Sequence, residues 1–364
     1  MEIAEIEEGV NFSGAEDAER LSSWFVGEGA ELQPLAHAVL VQPGGDVAAL
    51  VQSDLLAPGA TVFADASPSL AEETGVRFVA VEGGAEHAGD ELIISGSLYV
   101  QVFDYGSLAY LSVAGPTVVR MTCTEDYEAF LEDADRAVQE GVWAEALGHP
   151  SVQLADLDAL ASPLRAVGLG RLYLTAEGRL RTSVGGQDLG HVSAGAETVR
   201  AAAQAFGGDP SLGAVVPAPL LRSGAAERPW LRRYLHALEV KRRLVEKFGP
   251  DMRISGFGGR FTSGLVALPV EAADRPLLVE AQGEIFAVRT DDFRLFRLGR
   301  GSACLFEVFS ALCTEDTAES RGRAAAVAGP LLGITAEEAL RAYADVEAKM
   351  CLTTAADRAA GGTV

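Results

Sequence analysis

Leu277-Leu278-Val279-Glu280, Glu284-Ile285-Phe286-Ala287-Val288-Arg289 and Phe293-Arg294-Leu295-Phe296-Arg297-Leu298 are three short β-type runs, and reading them decides the fold of the C-terminal quarter. Each is rich in branched and aromatic residues and bounded by turn formers. Gly283 separates the first two, Asp291-Asp292 turns the chain into the third, and Gly299 breaks it. Helical spacing then takes over. Ala303, Leu305, Phe306, Val308, Phe309 and Leu312 predict a helix from about Ser302 to Leu312. A second is expected over Thr317 to Leu332, kinked or ended near Gly329-Pro330. A third starts at Thr335, with Glu338 in capping-box position, and carries the stripe Leu340, Tyr343, Val346, Met350.

Working outward, residues 1–160 read as a mixed α/β domain. β-type runs at 38–42, 60–64, 76–81, 92–94 and 98–103 are set off by turn signals such as Pro43-Gly44-Gly45. Asp104-Tyr105-Gly106 is expected to turn the chain into a further run, Ala109 to Val113. Thr122 and Glu125 have capping-box spacing ahead of a helix marked by Tyr127, Phe130, Leu131, Ala134 and Val138, which Gly141 ends. Residues 161–268 hold a hairpin (Arg171–Thr175 and Arg179–Val184), a helix from Pro229 to Phe248, and connecting chain. One face of that helix is basic, with Arg232, Arg233, Lys241, Arg242, Arg243 and Lys247, and reads as solvated or docked on acidic surface. Ser255-Gly256-Phe257-Gly258-Gly259-Arg260 lacks the spacing of a phosphate-binding loop and reads as a turn. The expected fold class is α+β: a domain over 1–160, a connecting region over 161–268, a three-strand, three-helix domain over 269–351, and a flexible tail over 352–364.

The 364 residues carry a formal charge of −23, which opposes generic binding to nucleic acid. No run of apolar residues is long enough to span a membrane, and the acidic start Met1-Glu2-Ile3-Ala4-Glu5 is unlike a signal peptide, so a cytoplasmic location is expected. Cys123, Cys304, Cys313 and Cys351 are scattered, and His37, His87, His149, His191 and His236 lack metal-ligand spacing. No metal, cofactor or catalytic residue is nominated.

Three strands followed by three helices, with Leu298-Gly299-Arg300-Gly301-Ser302-Ala303-Cys304-Leu305-Phe306 at the strand-to-helix junction, resemble the PqqD-like winged-helix domain. That family recognises leader peptides of ribosomally synthesised, post-translationally modified peptides (RiPPs). Many relatives have asparagine where Gly299 stands. The resemblance covers residues 270–350 and implies that a leader adds as an extra strand beside the third one and packs on the third helix. By carry-over the binding residues are Phe293, Arg294, Leu295, Phe296, Arg297, Leu298 and Arg300, with Leu340, Tyr343 and Glu347 as the opposite wall. Arg294, Arg297 and Arg300 form a basic strip suited either to an acidic leader or to guarding an exposed edge from aggregation. In size and composition the chain is also similar to the recognition proteins of daptide biosynthesis. That likeness implies a tailoring enzyme of the same pathway, an oxidative decarboxylase, as partner.

Two other readings stay open. A winged helix can read DNA, but the last helix would present Glu337, Glu338, Asp345 and Glu347 against only Arg341 and Lys349. In the other, residues 1–260 are a RiPP-modifying enzyme with a fused recognition arm, though they show no cysteine triplet, nucleotide loop or hydrolase triad.

Overall fold

The computed structural model describes residues 15–27, 33–65, 75–165, 168–272, 275–313, 315 and 317–350. These fall into two compact units, one within Met1–Ala129 and Ser151–Ala225, the other within Phe130–Pro150 and Ala226–Val364. The architecture is mixed α/β.

The first unit contains α1 (Ala15–Val26), β1 (Ala36–Val41), α2 (Val47–Gln52), β2 (Leu56–Ala64), β3 (Arg77–Gly83), β4 (Glu91–Ile94), β5 (Leu98–Asp104), β6 (Thr117–Arg120) and the start of α3 (Thr124–Glu140). It continues with β7 (Val152–Leu154), α4 (Leu157–Ala161), β8 (Arg171–Leu174), β9 (Arg179–Arg181), β10 (Gly190–His191), α5 (Ala196–Ala205) and α6 (Ala218–Glu227). The strands form one ten-stranded sheet in the order β10-β9-β8-β1-β2-β3-β4-β5-β6-β7. Side chains alternate between two cores, as a period of two requires. Leu40, Phe63 and Tyr173 point into one with Trp24 and Phe25 of α1, while Val39, Val41, Val62, Leu172 and Leu174 point into the other with Leu50 and Val199.

The expected β8–β9 hairpin forms, and β8 pairs in parallel with β1 (Ala38 opposite Arg171), so the sheet takes in residues well past 160. Two local expectations are corrected. Ala109 to Val113 is not a strand: a 3-10 helix occupies Tyr105–Tyr110 because the Asp104 carboxylate accepts from Ser107 N–H at 2.9 Å and tightens the turn. The start of α3 is held by Asp126 rather than Glu125. Its carboxylate accepts from the Thr122 N–H and hydroxyl, both at 2.7 Å, and from Gly106 N–H at 2.8 Å. Beneath the sheet, buried Arg171 pairs with buried Asp156 at 2.5 Å and donates to the Trp24 and Phe25 carbonyls at 2.6 and 3.0 Å.

The second unit contains the rest of α3, then α7 (Leu231–Phe248), β11 (Arg253–Ile254), β12 (Leu277–Ala281), β13 (Glu284–Val288), β14 (Leu295–Leu298), α8 (Arg300–Leu312), α9 (Ala318–Leu332) and α10 (Ala336–Lys349). Its four strands are antiparallel in the order β11-β12-β13-β14. One sheet face sends Leu278, Ile285, Ala287, Phe296 and Leu298 into a core with Phe306, Phe309 and Tyr343 of the three C-terminal helices. On the other face Phe286 meets Phe248 of α7, ring centroids 5.0 Å apart. The capping box of α10 forms as its spacing predicts: Glu338 N–H donates to the Thr335 hydroxyl at 3.2 Å, and Thr335 N–H to the Glu338 carboxylate at 2.8 Å.

Two features of this unit depart from expectation. The basic face of α7 is partly turned inward, with Arg233 donating to the carbonyl of Pro276 at 2.6 Å and Lys241 to that of Met252 at 3.2 Å. Arg242 and Arg243 both pair with Glu239, at 2.7 and 2.6 Å. The second departure is β11, a fourth strand ahead of the expected three. The loop after it is tied to α8 by Glu307, a carboxylate only 1% exposed. Glu307 accepts from the Ser255 hydroxyl, from Phe261 N–H at 2.8 Å and from Thr262 N–H at 2.6 Å.

The tail expected over 352–364 lies outside the described residues.

Candidate functional site

β14 is the last strand of its sheet and pairs with β13 alone among the described strands. Ladder geometry shows which of its main-chain groups face outward. Arg289 N–H donates to the Arg294 carbonyl at 3.0 Å, so that facing pair is hydrogen-bonded. Antiparallel pairs alternate in this respect. Hence Phe296 (opposite Ala287) and Leu298 (opposite Ile285) also spend their N–H and C=O groups on β13. Leu295 and Arg297, opposite Val288 and Phe286, turn theirs away from it. The outer edge therefore offers two N–H and two C=O groups spaced as a strand would meet them.

Side chains flank this edge unequally. Phe296 and Leu298 are half-buried on the helix side, and Leu340 and Val346 of α10 are half-buried against the same core. Val346, legible in the sequence as a core residue of the Leu340–Tyr343–Val346 stripe, is half-buried in the same way as Leu340. Tyr343 is corrected. It is 3% exposed, stacked on Phe309 with centroids 4.0 Å apart, so it supports the wall from behind rather than lining it. Burial holds its hydroxyl well above the ordinary tyrosine range. Glu347 lies toward α9, paired with Arg321 at 3.4 Å.

The strand is also shorter than its sequence suggests. Phe293 and Arg294 precede β14, and Phe293 adopts φ 56°, a left-handed conformation that a strand cannot contain. Its ring is covered by the Arg243 guanidinium, 3.8 Å from the centroid.

The basic strip is largely answered by carboxylates. Arg294 pairs with Asp292 at 3.2 Å and Arg297 with Glu284, while Arg300 is the exposed first residue of α8. At the turn before the strand, Arg289 holds Asp291 at 2.5 Å, and its guanidinium, with backbone N–H donors, pulls that carboxyl down to about 2. Exposed pairs of this kind contribute about 0–1 kcal/mol and weaken in salt. They also leave less free positive charge to attract an acidic peptide than three arginines alone suggest.

Among the described residues no group of His, Cys, Asp and Glu is arranged to hold a metal ion, and no helix is long and apolar enough to cross a membrane. Comparison of the chain with protein-family models, curated proteins and solved structures finds no match.

Proposed function

We propose that the second unit is a PqqD-like recognition element, and that the protein binds the leader of a ribosomally made precursor peptide by strand addition along β14. The observation that carries this reading is the outward-facing edge at Leu295 and Arg297, with Phe296 and Leu298 half-buried on the same strand and Leu340 and Val346 half-buried against the same core. An added strand would gain four backbone hydrogen bonds from those two residues. Each is worth about 0.5–1.5 kcal/mol net, so the edge alone supplies about 2–6 kcal/mol. Micromolar affinity needs about 8 kcal/mol. The remainder has to come from apolar leader side chains seated on the Phe296–Leu298–Leu340–Val346 surface. Backbone pairing then sets register and the apolar anchors set choice.

In this reading the protein is a scaffold. It presents the precursor to a tailoring enzyme of the same pathway, an oxidative decarboxylase if the likeness to daptide recognition proteins extends to partners. Tethering alone raises local substrate concentration toward the millimolar range for a short flexible link, without chemistry by the scaffold.

The test is an N-methyl scan of the leader encoded in a short precursor reading frame beside this chain's gene. N-methylation removes one amide donor at a time. Strand addition requires that alternate positions lose affinity by about tenfold or more while the intervening ones do not. A scan with no period of two would reject it.

A further inference from the structure

We propose that the second unit carries another binding site, unconnected with the β14 edge: a cleft between residues 143–150 and α7 that takes a monocarboxylate with a flat or branched apolar body. The cleft has a volume of about 350 Å³, within the range of about 300–1,000 Å³ typical of small-ligand pockets. Its walls are Trp143, Pro150, Val245, Pro250 and Met252, with Lys241 as the buried charge among them.

Lys241 gives the cleft its chemistry. The residue is 8% exposed, and its ammonium donates to two neutral acceptors, the carbonyls of Pro250 at 3.4 Å and Met252 at 3.2 Å. An ammonium has three N–H donors, so one is left over. No carboxylate among the described residues lies within ion-pair distance of it, and burial pushes its titration below the ordinary lysine range. Asp251 supports the charge electrostatically without pairing with it, and a buried ammonium hydrogen-bonded only to carbonyls is stabilised further by any anion that can reach it. A carboxylate entering the cleft would accept the third N–H and neutralise the charge.

The walls define the rest of the ligand. Trp143 is clamped by Tyr234, nearly parallel at 5.6 Å, and by Phe257 at 4.9 Å, so it presents a fixed flat surface, with Lys241 5.3 Å from its ring centroid. That surface suits an aromatic or branched aliphatic group. Glu145 and His149 are exposed lining residues. Glu145 disfavours a second negative charge on the ligand, which selects monocarboxylates over dicarboxylates. The same chemistry is found in a free small acid and in the C-terminus of a peptide ending in an apolar residue.

Calorimetric titration of the full chain with indole-3-propionate, indole-3-propionamide, and a Phe-terminated tetrapeptide as free acid or amide tests the assignment. The expected result is saturable binding of an acid, with its amide weaker by about tenfold or more. Val245→Trp fills the cleft without altering Lys241. It should abolish binding while leaving thermal unfolding and leader affinity unchanged, which separates this site from the β14 edge. Lys241→Met should bring acid and amide to equal affinity. Tighter binding of the tetrapeptide acid than of indole-3-propionate identifies a peptide C-terminus as the source; the reverse identifies a free acid. Equal binding of acid and amide by the unaltered protein, undiminished binding by Val245→Trp, or no binding of any probe at about 10 mM, far above the affinity range of small-ligand sites, overturns the proposal.

Discussion

Arg243 on α7 places its guanidinium 3.8 Å from the centroid of the Phe293 ring, across the turn that leads into β14. Phe293 sits at φ 56°, a backbone conformation a bulky residue adopts only when its surroundings hold it there. The contact packs against the turn at the start of β14. Cation–π contacts at partly exposed sites are worth about 0.5–2 kcal/mol. Arg243→Met should lower stability by an amount in that range and speed amide exchange at residues 293–295. Unchanged exchange there would show that the turn is held by other contacts.

Glu307 makes the C-terminal helices depend on residues ahead of the expected domain start at 269. The carboxylate is buried and its donors are Ser255, Phe261 and Thr262. A fragment of residues 269–350 leaves it without them and also removes β11. That fragment should lack the near-ultraviolet circular dichroism of a packed core. Glu307→Leu in the full chain should cost about 1–3 kcal/mol for each buried donor left unsatisfied, as measured by urea unfolding.

In the first unit, removing one partner of the Arg171–Asp156 pair leaves the other charge buried. The pair is 2.5 Å long and its side chains are 8% and 7% exposed. Arg171→Met should destabilise by about 3–5 kcal/mol. Because the guanidinium also ties α1 to this core through the Trp24 and Phe25 carbonyls, Trp24 fluorescence should report the loss. A change below about 1 kcal/mol would mean that the pair is no better than a surface one.

Asp291 gives a pH-dependent signature. Its folded pKa is lowered from 3.8 to about 2, chiefly by the Arg289 side chain. The stability it contributes is therefore present above 3.8 and is lost as pH falls through about 2. The contribution is small because the carboxylate is half exposed. Carboxyl NMR should find Asp291 titrating near 2, and Arg289→Gln should return it toward 3.8.

Charge at the edge gives a fifth test. Arg297 is paired with Glu284, so Arg297→Glu places two like charges across the β13–β14 ladder. Leader affinity should drop, and added salt should recover much of the loss. A salt-insensitive loss would mean that the arginine acts through its stem or its backbone.

The C-terminal module was legible because its signals are local. The runs containing Leu277, Ile285 and Leu295 alternate and end at turn formers, and Thr335 with Glu338 marks a helix start whatever lies around it. What was not legible depends on distant partners. Nothing near Lys241 or Arg233 in the sequence shows that they face carbonyls rather than water, since a basic helix face looks the same either way. Arg253-Ile254 is too short to announce a strand and becomes one only because β12 pairs with it. Asp126 displaced Glu125 as the helix cap because the Thr122 and Gly106 donors converge on it in space. At the edge itself, the outward direction of Leu295 and Arg297 is set by register with β13, and alternation alone fixes only which side chains share a face.

Amide hydrogen exchange of β14 with and without bound leader bears most directly on strand addition. The Leu295 and Arg297 N–H groups face the open edge, while those of Phe296 and Leu298 are already bonded to β13. Leader binding should slow exchange at Leu295 and Arg297 by at least about tenfold, the protection expected of newly formed ladder bonds, with little change at their two neighbours. Saturating leader that leaves Leu295 and Arg297 exchanging as in the free protein would contradict the account.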